Sequence, residues 1–241
     1  MPDTKRGILS HISYYSIAQI LSEALFFVRG FLLARIFGPT LFGLWTEIKL
    51  ALIFLQYARF GTNEAMMREV PYAVGRGDNE YANEIKKTVF SFNILSSGFV
   101  AIILFILVIF FEKTRDSGIS GLWAYLAVIF VVSQMYWVIN IKFQTEKNFN
   151  QSSKIIFGFA SCSTVVGLVF AHFFSLPGFL LALAISYLSM IILTQEGLLF
   201  FSLYACNRSL LQELIKIGLP IMISGALLII LWNTDKLIIW L

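Results

Sequence analysis

The chain is predicted to be an all-α, polytopic transmembrane bundle of about seven helices. Three observations point there. Its 241 residues are 58% hydrophobic and only 13% charged, where soluble domains carry about 25% charged residues. Mean hydropathy is +0.80. The stretches Thr88 to Phe111, Ser117 to Ile141 and Ile155 to Gln195 contain no Asp, Glu, Lys or Arg, and each reaches or exceeds the roughly 20 residues that cross a bilayer. The last is long enough for two crossings, with the turn expected at Ser175-Leu176-Pro177-Gly178. Lys5 and Arg6 lead into an apolar stretch far longer than a signal-peptide core, so the first helix is expected to act as its own insertion signal.

The predicted helices are 8–37, 41–60, 88–111, 119–141, 155–174, 178–205 and 218–241. The first carries Glu23 and Arg29 inside an apolar stretch, which a plain anchor would not need. On a wheel of 100° per residue, Ser16, Gln19, Ser22, Glu23, Arg29 and Gly30 share one arc of roughly 140°. An ionisable group at membrane depth usually faces a bundle interior or a water-filled cavity, so this stripe is the first candidate for a transport path. Arg35 falls on the other side, near the helix end, where a long side chain snorkels to the headgroups.

Gly38-Pro39 marks a short turn into the second helix and favours an antiparallel hairpin. Glu47 and Lys49 lie in that helix's outer half, either paired near the surface or lining a cavity. Residues 61–87 form the longest connection, expected as a solvated loop with a short helix in which Met66, Met67, Val70 and Tyr72 can face lipid. Gly75-x-Gly77 there is not a phosphate loop, because no strand precedes it and no Gly-Lys-Ser/Thr follows. The polar segments 112–116 and 142–154 are solvated connections. His172 and Glu196 sit toward helix ends. Tyr14, Tyr15, Trp45, Trp123 and Tyr125 fall where interfacial aromatic rings belong.

The seventh helix opens on Gly218-Leu219-Pro220, where proline in the first turn is tolerated, and then carries Asn233, Asp235 and Lys236. Gly218 to Asp235 is roughly 25 Å of helix and Ser10 to Arg29 roughly 28 Å. Both charged positions are therefore expected at similar depth on helices of the same orientation, as in transporters built from repeats.

Net charge +4 and a pI near 9.1 would suit nucleic acid, but the cations follow topology instead. Lys5, Arg6, Arg59, Arg68, Arg76, Lys86, Lys87, Lys142, Lys147, Lys154, Arg208 and Lys216 fall on one side, against Arg35, Lys113 and Arg115 on the other. The excess places the N-terminus and the 61–87, 141–154 and 206–217 segments in the cytoplasm. Labelling of intact cells from outside checks this: Asp116→Cys is expected to react and Asp78→Cys to stay protected. Cys162 and Cys206 have no CxxC or Cys/His spacing. No disulfide, metal, other cofactor or nucleic-acid partner is expected.

Several stretches then combine: Arg29 with Ala34-Arg35-x-x-Gly38-Pro39-x-x-Phe42-Gly43-x-Trp45, Gly61-x-x-x-Ala65-x-x-Arg68-Glu69 with Gly77-Asp78, and Gly218-x-Pro220 with Asp235-Lys236. In order and spacing they resemble the polysaccharide-biosynthesis flippases, the Wzx-like O-antigen and teichuronic-acid transporters of the multidrug/oligosaccharidyl-lipid/polysaccharide superfamily, which also holds the MATE drug exporters. The resemblance runs the length of the chain. It implies two six-helix lobes around a central cavity that passes a polyprenyl-pyrophosphate-linked oligosaccharide across the bacterial cytoplasmic membrane, for O-antigen, capsule or exopolysaccharide. It implies residues 1–217 as a MATE-like N-terminal lobe and 218–241 as the first helix of a second. Glu23, Arg29, Glu47, Lys49, Asp235 and Lys236 become the substrate-path residues, with cations meeting pyrophosphate or acidic sugars. Membrane lipids, a polysaccharide polymerase and glycosyltransferases are the implied partners.

The chain stops in or just after the seventh helix. It is expected to be the N-terminal portion of a flippase, from a truncated or frameshifted gene or a fragment, and to insert without flipping alone, its seventh helix loosely docked. A drug or cation antiporter remains the alternative, leaning on Glu23 and Glu47. A non-transporting membrane remnant is another. A polyprenyl-phosphate glycosyltransferase would need an acidic metal or nucleotide-sugar motif in a loop, and none of the loops has one, so the chain is not expected to be an enzyme.

Overall fold

A computed structural model describes residues 5–112, 120–194 and 207–232. Within them the chain is helical throughout: α1 (Lys5–Leu55), a 3-10 turn (Gln56–Arg59), α2 (Thr62–Gly75), α3 (Asn79–Glu112), α4 (Ser120–Thr145), α5 (Phe149–Leu193) and α6 (Arg208–Trp232). The apolar spans are Ser13–Arg59, Asn79–Leu107, Ala124–Thr145, Phe149–Leu193 and Arg208–Leu231. The polytopic helical bundle stands. The count among the described residues is six helices rather than about seven, because two predicted pairs each run on as one element through a single hinge residue, and the short helix expected within the 61–87 connection stands as an element of its own, α2.

Both hinges reverse the chain. Gly38 (φ 67, ψ −179) breaks α1 just before Pro39, in a backbone region that is essentially glycine-only. Arg29 and Trp45 both approach the Phe179 ring, at 5.7 Å and 4.8 Å, whereas a straight helix would set them roughly 24 Å apart. Ser175 (φ 57, ψ −145) breaks α5 before Pro177. Phe159 and Tyr187, roughly 42 Å apart on a straight helix, stack at 4.2 Å. Each of these long elements is therefore a hairpin whose arms pack side by side.

Helices at the basic end begin well before their apolar stretches, because polar caps start them there. Asp78 Oδ1 accepts from Tyr81 N at 3.0 Å, Asn148 Oδ1 from Gln151 N at 3.3 Å, and Asn207 Oδ1 from Ser209 N at 3.1 Å. Such side chains satisfy first-turn amides that have no partner within the helix. α3, α5 and α6 consequently start at Asn79, Phe149 and Arg208 rather than at 88, 155 and 218.

α1 packs chiefly on α5, and α4 lies between α3 and α5. Their core is aromatic and aliphatic, with Leu33, Phe37, Trp45, Tyr136, Phe159 and Phe179 all buried. Trp45 is thus a core residue at 8% exposure and not an interfacial ring. A second core at the basic end joins α2, α3 and α6 through Met66, Val70, Ile85, Val89, Leu210 and Leu214. Here Met66 and Val70 are buried, correcting the expectation that they face lipid. Asn93 fixes the junction by donating from Nδ2 to Val89 O (2.8 Å), Asn63 Oδ1 (3.1 Å) and Thr62 Oγ1 (3.2 Å).

Four polar contacts bring the connections together at that end. Gln144 Nε2 donates to Tyr15 Oη at 3.2 Å, Lys86 pairs with Glu146 at 2.7 Å, Asn207 Nδ2 donates to Glu84 Oε1 at 2.8 Å, and Arg59 pairs with Glu64 at 3.5 Å. α6 docks through its first half, where Leu214 is fully buried, while Leu227, Leu228 and Leu231 farther on are exposed apolar residues, as suits a lipid-facing helix.

Candidate functional site

The face of α1 that meets α5 decides where its polar arc points. Tyr15, Ser22, Phe26 and Leu33 fall near one another on the wheel, between roughly 300° and 340° with Gln19 at zero, and Ser22 and Leu33 are buried. Ser22 Oγ donates to the Ala18 carbonyl at 2.7 Å, so its hydroxyl is satisfied within the helix. Ser16, Gln19 and Glu23 lie at the edge of this face and are exposed. The arc divides: one edge open, the other turned inward.

Arg29 belongs to the inward edge. Its Nη1 donates to Ser163 Oγ of α5 at 2.7 Å, and its guanidinium lies 4.7 Å from the Phe26 ring centre and 5.7 Å from that of Phe179. Cations over aromatic faces are stabilised by the ring quadrupole, more so where water is excluded. Phe26 in turn meets Phe159 edge-on at 6.1 Å. Around this group Phe159 stacks on Tyr187, and Tyr136 packs 5.1 Å from each ring. Among the described residues Arg29 has no carboxylate partner, and only one of its five N–H donors meets an acceptor. The half-buried guanidinium therefore keeps hydrogen-bonding capacity for an anion.

Glu23 does not pair with Arg29 and stays on the open edge. Glu47 and Lys49, beyond the Gly38 hinge, are also exposed. Asp235 and Lys236, with Asn233, Glu196, Cys206 and the 113–116 segment, lie outside the described residues. Among the described candidates, Arg29 is the one turned toward α5, while Glu23, Glu47 and Lys49 are exposed. Ser163 and Phe179, which hold it from α5, carried no signal in the sequence, being ordinary members of an apolar helix pair. His172 is exposed and edge-on to Phe173 at 5.3 Å.

A second feature lies where α2 meets α6. Gly61 (φ +75) and Gly218 cross backbone to backbone, and a Cβ on either would land on the other's main chain. Both belong to the motifs singled out above, and the crossing supplies their physical reason.

A profile described as polysaccharide biosynthesis protein matches residues 8–241, and the chain belongs to that family. No curated protein and no solved structure matches it.

Proposed function

We propose that this polysaccharide-biosynthesis family member moves a polyprenyl-pyrophosphate-linked oligosaccharide across the bacterial cytoplasmic membrane, with its N-terminus on the cytoplasmic side. The observation that carries the reading is Arg29, a membrane-depth cation without a carboxylate among the described residues, held by Ser163 and two aromatic rings. A cation placed this way is costly in hydrocarbon and suited to an anion that visits. Pyrophosphate is such an anion, and arginine's planar fork matches phosphate oxygens. The open edge of Ser16, Gln19 and Glu23 offers polar groups to sugar hydroxyls. Glu47, Lys49, Asp235 and Lys236 are proposed to extend the path. A polymerase and glycosyltransferases are the proposed partners, supplying and consuming the carrier.

Complementation tests this. In a flippase-deficient strain, an open reading frame containing these residues is expected to restore surface polysaccharide. Restoration of drug resistance with no effect on polysaccharide would favour the antiporter reading instead.

A further inference from the structure

We propose that the cavity between α3 and α4 at the basic end binds the phosphodiester headgroup of an anionic membrane lipid. The cavity measures about 210 Å³, is rimmed by Asn83, Lys86, Lys87, Lys142 and Glu146, and has an apolar floor that includes Phe90. Lys86 is paired with Glu146 at 2.7 Å. Among the described residues that line the cavity are three lysines and one carboxylate, so the lining is net positive in formal charge.

Its depth selects the ligand. Lys87 immediately precedes the uncharged stretch that starts at Thr88, and Lys142 immediately follows the one that ends at Ile141. Both helices continue past these lysines as polar turns, α3 back to Asn79 and α4 on to Thr145. The ammonium groups therefore sit where hydrocarbon gives way to headgroups, at the level of lipid phosphates. Lysine meets phosphate as a compact point charge with several donors, and basic pockets between transmembrane helices are suited to acidic headgroups. A freely dissolved anion would use the charged rim alone. A lipid uses both parts of the site, its phosphodiester against the rim and its glycerol and first methylenes against the floor. Nothing in this assignment depends on the transport reading or on Arg29.

Native mass spectrometry of the purified full chain in detergent tests it, with titration of phosphatidylglycerol or phosphatidylcholine of matched acyl chains. Phosphatidylglycerol is expected to bind in preference. The double variant K87Q/K142Q is expected to weaken phosphatidylglycerol binding about thirtyfold and to leave phosphatidylcholine unchanged. E146Q removes the competing carboxylate and releases Lys86, so phosphatidylglycerol should bind severalfold tighter; this arm decides the matter if the double variant does not fold. Equal binding of the two lipids, or unchanged affinity in the variants, would overturn the proposal. Displacement of the lipid by inorganic phosphate at equal concentration would overturn it in favour of a free-anion site.

Discussion

Replacing Gly218 with valine is expected to detach α6 from α2 and to be among the most damaging single changes in the chain. The Gly218 Cα packs against the Gly61 main chain, and a Cβ there would also come within 3.2 Å of the Ala65 methyl. Neither neighbour can yield: one is backbone, and the other is fully buried. Overpacking of a tight core typically costs 1–3 kcal/mol, and here the obstacle is main chain rather than a rotatable side chain. Gly61→Ala should be at least as severe, since its positive φ adds about 1–2 kcal/mol for a residue with a Cβ. Because α6 packs chiefly on α2, loss of this crossing removes most of its docking. Cysteines placed at Glu84 and Asn207, whose side chains hydrogen-bond in the native fold, report it: oxidative crosslinking should be efficient in the parent and fall severalfold in Gly218→Val. Unchanged crosslinking would mean that α6 stays docked on α2 despite the added side chain, against this expectation.

Arg29→Leu is expected to abolish polysaccharide export while leaving the protein as abundant as the parent, or more so. The sign follows from the surroundings. Removing one member of a buried ion pair strands the other charge and costs about 3–5 kcal/mol. Arg29 has no carboxylate among the described residues, and its one hydrogen-bond partner, Ser163, also donates to the Ala160 carbonyl at 3.4 Å. Leucine instead relieves an insertion cost of about 2.5–3.5 kcal/mol and fits between Phe26 and Phe179. Arg29→Lys keeps the charge but loses the planar fork and should retain only part of the activity. Membrane abundance by immunoblot, alongside surface polysaccharide, separates the two effects. Normal export by Arg29→Leu would end the case for Arg29 in transport, and collapse of the protein would make it structural.

Several elements were legible because their causes are local. The reversals at Gly38-Pro39 and near Ser175-Leu176-Pro177-Gly178 follow from the conformations those residues favour or forbid, and the structure bends at Gly38 and Ser175. Asp78, Asn148 and Asn207 cap helices whose starts apolar content alone placed too late. Polar turns can extend a capped helix into the headgroup region, where water and lipid phosphates solvate them. α2 was less legible. Its mixture of Arg, Glu and Met describes a surface segment equally well, and its inner face became evident only with α3 and α6 packed against Met66 and Val70.

The amino-acid sequence by itself determined the membrane-spanning helical class, the positions of both hairpin turns, the concentration of cations on one side and the family. The first three rest on composition, periodicity or single-residue stereochemistry, which act within one helix or turn, and the family on the order and spacing of short motifs along the chain. Tertiary structure alone decided that Arg29 turns inward to Ser163 and Phe179 while Glu23 stays outside, that Gly61 and Gly218 touch, and that Lys86, Lys87 and Lys142 surround one cavity. A helical wheel fixes the angle between two side chains but not which side a neighbouring helix covers. That choice comes from contacts between residues far apart in the chain, such as the 134 positions separating Arg29 from Ser163, and it forms only when the packed helices exclude lipid and water from between them.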